Sequence, residues 1–95
     1  MVDPKRALSD VPEHHMSFWF TNGTIARNIY EFLSALQSCD KGVFEYHVND
    51  EKNDFYNWIL DVLGDDVLAK RVKKEKDQQK YARKIKRRIK ELEKM

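Results

Sequence analysis

Glycine and proline are scarce, with three and two in 95 residues. A turn-rich all-β fold needs more of both to reverse its chain. The single Cys39 excludes an intrachain disulfide framework and any metal cage of cysteines alone. No run approaches the roughly 18 apolar residues of a membrane-crossing helix. The first fifteen residues, MVDPKRALSDVPEHH, lack the apolar stretch of a secretory signal. No glycine-rich phosphate loop, Gly-x-Ser-x-Gly elbow or His-Glu-x-x-His pair occurs, so the chain reads as non-enzymatic and free of cofactors.

Bulky apolar side chains and charge are both present. Trp19, Trp58, five phenylalanines and four tyrosines need burial, which excludes a disordered polyampholyte. The composition fits a small, helix-rich, cytoplasmic protein. The net charge of +2 conceals a split. Residues 1–69 hold five basic and twelve acidic side chains, a net of −7, whereas residues 70–95 hold thirteen and four, a net of +9. The chain therefore divides into a polar lead (1–15), an acidic compact α-rich domain (16–69) and a basic helical tail (70–95).

Met16-Ser17-Phe18-Trp19-Phe20-Thr21 alternates as a strand, and Asn22-Gly23 suits a tight hairpin turn. Either a return strand at Thr24–Ala26 or a helix capped by Thr24 follows. Ile25, Ile29, Phe32, Leu33 and Leu36 carry helical spacing to about Cys39. A second helix capped by Asp40 presents Phe44, His47 and Val48. A third, capped by Asn53 or Asp54, presents Phe55, Trp58, Ile59, Val62 and Leu63 and stops at Gly64. Asp65 opens the last helix with Val67, Leu68 and Val72. Nothing then interrupts the chain to Met95, and Ala82, Ile85, Ile89 and Leu92 form a narrow apolar seam. A helix over 70–95 would be about 39 Å long, too long and polar for the body to cover. The expected fold is thus mainly α (α+β): a short N-terminal hairpin or strand, three short helices and a long basic C-terminal helix. Its core is Phe18, Phe20, Ile29, Phe32, Leu33, Leu36, Phe44, Val48, Phe55, Trp58, Ile59, Val62, Leu63 and Leu68.

Four stretches stand out: Phe18-x-Phe20-x-Asn22-Gly23, Arg27-Asn28-Ile29-Tyr30-Glu31 with Leu36, Val43-Phe44-Glu45-Tyr46-His47-Val48-Asn49, and, most specific, Lys52-Asn53-Asp54-Phe55-x-x-Trp58-Ile59 with Asp61-Val62-Leu63-Gly64-Asp65. They resemble a prokaryotic, mainly archaeal family of domains of unknown function. The resemblance covers residues 18–72 and implies a compact domain of archaeal type, with no chemistry attached.

Polar clusters have structural explanations at hand. His47, Asn49, Asn53 and Asp54 form either a small ligand or proton-transfer site or the caps of a helix junction, and capping is favoured. His14, His15, His47 and Cys39 lack metal-ligand spacing. Asp50-Glu51 and Asp65-Asp66 sit where helices begin, as the helix dipole favours. Trp19 is either an exposed aromatic anchor or, more often for tryptophan, covered.

The tail is the strongest signal. Seven like-charge pairs stand at i,i+4: Lys70–Lys74, Lys76–Lys80, Lys80–Lys84, Arg83–Arg87, Lys84–Arg88, Lys86–Lys90 and Lys90–Lys94. At about 0.2–0.5 kcal/mol each they cost the helix roughly 1.5–3.5 kcal/mol. Nucleic-acid phosphate would relieve that cost, through Lys73, Lys80, Arg83, Lys84, Lys86, Arg87, Arg88 and Lys90, without reading sequence. Arg83, Arg87 and Arg88 lie off the Ile85–Ile89–Leu92 seam, so reversing their charge should spare the fold. The alternative is a protein-interaction or self-assembly module that uses the apolar seam and the charge split, or an acidic protein partner. An anionic membrane is a weaker fit, since the apolar stripe lacks Trp and Phe. A homo-oligomer, simplest as a two-fold dimer, is expected because the body is small, the hairpin leaves a free edge and the seam lacks a partner.

Overall fold

The computed structural model describes residues 2–95. It is mainly helical, with one two-stranded antiparallel sheet near the N-terminus and a long C-terminal helix. Helix α1 spans Pro4–Leu8. Asp3 caps it by accepting from the Lys5 amide at 3.0 Å, and Pro4 occupies the first turn, where no donor is needed. The polar lead is thereby folded: Val2 and Ala7 are buried together with Leu92. Arg6 donates to the Val62 carbonyl at 3.1 Å. Its guanidinium lies over Gly64, whose φ of +71° ends a helix as glycine allows.

Strands β1 (Phe18–Trp19) and β2 (Ile25–Ala26) pair Phe18 with Ala26 and Trp19 with Ile25. Between them the Gly23 amide donates to the Phe20 carbonyl and the Phe20 amide to Thr24, with Gly23 at φ +91°. The return strand thus forms, and Ile25 belongs to it rather than to a helix. Helix α2 (Ile29–Ser38) begins at Asn28, whose Oδ1 accepts from the Glu31 amide at 2.8 Å. Glu31 in turn accepts from the Arg27 amide at 2.9 Å, so the helix start is fixed from both sides.

Helix α3 spans Lys41–His47 and α4 spans Asp54–Trp58, continuing as one wider π-helical turn over Ile59–Leu63. Phe18, Phe20, Phe32, Phe55 and Trp58 meet at the centre, with Phe32 stacked on Trp58 at 5.0 Å. The Trp58 indole N–H donates to the Met16 carbonyl at 2.8 Å, so the ring is buried with its polar atom satisfied. Of the expected core, only Leu33 and Val62 stay partly exposed.

Helix α5 (Asp66–Val72) crosses the expected boundary at residue 69, and α6 spans Gln78–Glu93. The continuous helix expected over 70–95 is broken at 73–77. There the Glu75 carboxylate accepts from the Lys76 and Asp77 amides, and Asp77 caps α6 through the Lys80 amide at 2.8 Å. Freed by that break, α6 folds back as a 16-residue rod of about 24 Å. Tyr81, Ala82, Ile85, Ile89 and Leu92 are all buried in the body. The body can cover this helix because α6 is about 24 Å long, against about 39 Å for an unbroken helix over 70–95. The seam finds its partner inside the chain, which removes one of the reasons for expecting a dimer.

Candidate nucleic-acid interface

The His47 cluster is internal. His47 is buried, and its Nε2 accepts from the Thr21 amide at 3.0 Å. Nδ1 therefore carries the proton and donates to Asp54 Oδ2 at 2.9 Å, where Lys52 Nζ also lies at 2.9 Å. Asn49 Oδ1 accepts from the Glu51 and Lys52 amides, and its Nδ2 donates to the Glu45 and Tyr46 carbonyls. Asn53 joins three helices. Its Oδ1 accepts from the Tyr56 amide and the Tyr81 hydroxyl, both at 2.9 Å, and its Nδ2 donates to the Val72 and Lys73 carbonyls. Burial pushes the Tyr81 phenol far above its ordinary value, so it stays a donor. Each of His47, Asn49, Asn53 and Asp54 has a bonding role inside the fold. Burial also raises the Cys39 thiol, which disfavours the nucleophilic thiolate. Among the described residues, no three histidine, cysteine or acidic side chains gather to hold a metal, and no helix is long and apolar enough to cross a membrane.

The eight basic residues singled out in the tail fall into three groups. Arg88 is buried: Nε donates to Asp65 Oδ2 at 2.8 Å and Nη2 to Oδ1 at 3.2 Å, a bidentate pair with Asp65 almost wholly enclosed. Its Nη1 reaches Glu91 Oε1 at 3.0 Å. Arg88 is thus a structural tie between α5 and α6 and leaves the set of phosphate contacts. Hydrogen bonds donated to Asp65 and Glu91 hold its guanidinium even more firmly protonated. Arg88 lies off the narrow heptad seam and is buried all the same. A globular helix buries a wider arc, and Arg88 lies inside it.

Lys73 lies at the end of α5, and Lys84 on the flank of α6 that faces Glu75 rather than on its outer face. Lys73 Nζ lies over the Tyr56 ring at 5.7 Å, and Lys84 pairs with Glu75 at 2.7 Å while donating to the Arg71 carbonyl. The third group forms one surface. Lys80, Arg83, Lys86, Arg87 and Lys90 are exposed, and helical geometry places them, with Lys94 at the C-cap, on the face opposite the buried arc. Arg87 Nε lies 3.6 Å from Glu91 Oε2. Among the described residues the other five have no carboxylate within ion-pair distance.

The charge cost expected for a single tail helix is redistributed accordingly. Lys70–Lys74 and Lys76–Lys80 no longer share a helix, and Lys76 pairs with Asp50. Lys84 and Arg88 have acidic partners. Arg83–Arg87, Lys86–Lys90 and Lys90–Lys94 keep their repulsion, and all three lie on the outer stripe. Trp19, the other exposed feature, is 53% accessible, with its ring edge-on to His14 at 5.2 Å, so it is not covered within the chain. No family model, curated protein or solved structure was found to match this chain, so the resemblance over residues 18–72 rests on its motif alone.

Proposed function

We propose that the chain is a cytoplasmic, non-catalytic binding module whose outer α6 face engages nucleic-acid phosphates without reading sequence. The observation that carries the reading is the stripe Lys80, Arg83, Lys86, Arg87, Lys90 and Lys94, in which, among the described residues, only Arg87 has a carboxylate within ion-pair distance. The acidic side chains of the tail are engaged elsewhere, Glu91 by Arg71 and Arg88, Glu75 by Lys84. The stripe therefore keeps its charge for an external anion. It displays no constellation suited to base recognition in the major groove, so affinity should vary little with sequence.

Fluorescence anisotropy with labelled oligonucleotides tests this. Four to six phosphate contacts give a log–log salt slope of about −4 to −5 on duplex DNA. Changing Arg83, Lys86 and Lys90 to Glu should abolish binding while the circular dichroism spectrum stays unchanged. Arg88 must be left out of that set. No binding at about 50 mM salt, where electrostatic affinity is greatest, would overturn the reading.

A further inference from the structure

One flank of the basic stripe carries more than charge. Helices α2 and α6 run antiparallel and are tied at both ends. At one end Gln78 Nε2 donates to the Leu36 and Cys39 carbonyls, each at 2.9 Å. At the other the Tyr30 hydroxyl donates to Glu93 Oε2 at 2.8 Å. Beside the Gln78 end lies an open groove of about 530 Å³, walled by Gln37, Gln79, Arg83 and Lys86, with Ala82 beneath. That volume lies within the range of sites for small organic groups.

The lining chemistry is specific. Gln37 and Gln79 have no side-chain hydrogen bond among the described residues, so each offers an amide donor and acceptor. Arg83 and Lys86, on the same wall, belong to the unpaired stripe. Tyr30 adds an aromatic face: its hydroxyl is held by Glu93, yet 43% of the residue is exposed. Tyr30 and Gln37 lie two helical turns apart on one side of α2, about 10 Å along the axis. A cationic track beside an aromatic ring is how single strands are held, with the backbone following charge and bases lying against flat side chains. A duplex keeps its bases stacked and paired, and brings neither faces nor Watson–Crick edges to such a seam.

We propose that the α2–α6 seam receives unstacked bases, Tyr30 stacking on one and the Gln37–Gln79 groove taking another, so that the ligand of the basic face is single-stranded nucleic acid. This rests on the phosphate-binding role of α6 and narrows it.

The test compares a labelled single strand of roughly twelve nucleotides with its duplex, within the site sizes such surfaces cover. The strand should bind about tenfold or more tightly than the duplex, despite the duplex's higher charge density. Tyr30→Ala should weaken strand binding about fivefold or more and leave duplex binding unchanged. Gln37→Ala with Gln79→Ala should do likewise. Tyr46→Ala, at an exposed tyrosine of α3 outside the seam, should change neither. Photocrosslinking of wild-type protein to a thiouridine-containing strand supplies a readout independent of the variants' folding. Crosslinks within residues 30–37 or 78–82 support the seam, and crosslinks confined to other segments overturn it. Equal affinity for both forms with Tyr30→Ala silent would overturn the seam and leave the basic face standing. Absence of binding to either form would overturn both.

Discussion

Arg88 is the residue on which the reading of the C-terminal segment turns. In the sequence it is one of thirteen basic side chains after residue 69. In the structure it is the only one of them that is buried, and its partner Asp65 also caps α5 by accepting from the Leu68 amide at 3.1 Å. Removing one member of such a pair leaves the other charged, enclosed and unpaired. Arg88→Ala is therefore expected to destabilise by about 3–5 kcal/mol in urea denaturation. Arg83→Ala, on the outer stripe, should stay within about 0.5 kcal/mol of wild type. Ser17 offers the opposite case. Its buried hydroxyl has no hydrogen-bond partner among the described residues, so it loses water without compensation. Ser17→Ala should raise stability by about 1 kcal/mol, and an unchanged or lower denaturation midpoint would show that the hydroxyl finds a partner. Neither feature is legible in the sequence, because both depend on which long-range neighbour arrives.

At the scale of elements, legibility followed local chemistry. The hairpin was readable because Asn22-Gly23 supplies the backbone its turn needs, and α4 because Phe55, Trp58 and Ile59 share a face ending at Gly64. Helix α1 was missed although Asp3-Pro4 is an ordinary cap and first turn. A five-residue helix has too few apolar positions to show a period. The break at 73–77 was missed for another reason: Lys-Lys-Glu-Lys-Asp are all compatible with helix, and only Asp77 as a cap marks the restart. The contact between α5 and α6 has a pH signature. Hydrogen bonds from Arg88 and Arg71 hold Glu91 below its ordinary 4.5, and one from Lys84 holds Glu75 below the same value. A carboxylate whose folded value is lowered contributes stability that is complete above its unfolded value and is lost as pH falls through the folded one. The denaturation midpoint should therefore hold steady above about pH 5 and decline below 4.5. Glu91→Gln should flatten part of that decline, and an unaltered acid profile would show that Glu91 is unpaired in solution.

At the scale of the whole molecule, the charge split and the core do not divide the chain at the same place. Charge separates residues 1–69 from 70–95, yet the core draws on both sides of that line. Tyr81 packs edge-on to Phe44 at 5.7 Å and to Phe55 at 5.5 Å, and Ile85 is fully enclosed. At the far end α6 closes over the lead, where Leu92 meets Val2 and Ala7. The sequence concealed this because periodicity shows that a helix has an apolar face, while giving no sign of what the face lies against. Since the seam is filled internally, α6 supplies no apolar reason to dimerise. The same packing predicts that the acidic body cannot stand alone. A chain ending at Lys76 would lose Tyr81, Ile85, Ile89 and Leu92 and leave Asp65 enclosed without Arg88. Each large apolar loss costs about 2–5 kcal/mol, so the four together, roughly 8–20 kcal/mol, match the 5–15 kcal/mol that holds a typical domain together. That truncated chain should show no cooperative thermal transition by circular dichroism. A cooperative transition with dispersed amide signals would mean that α6 is an appendage to an independent core, and that its burial contributes little to the stability of the rest.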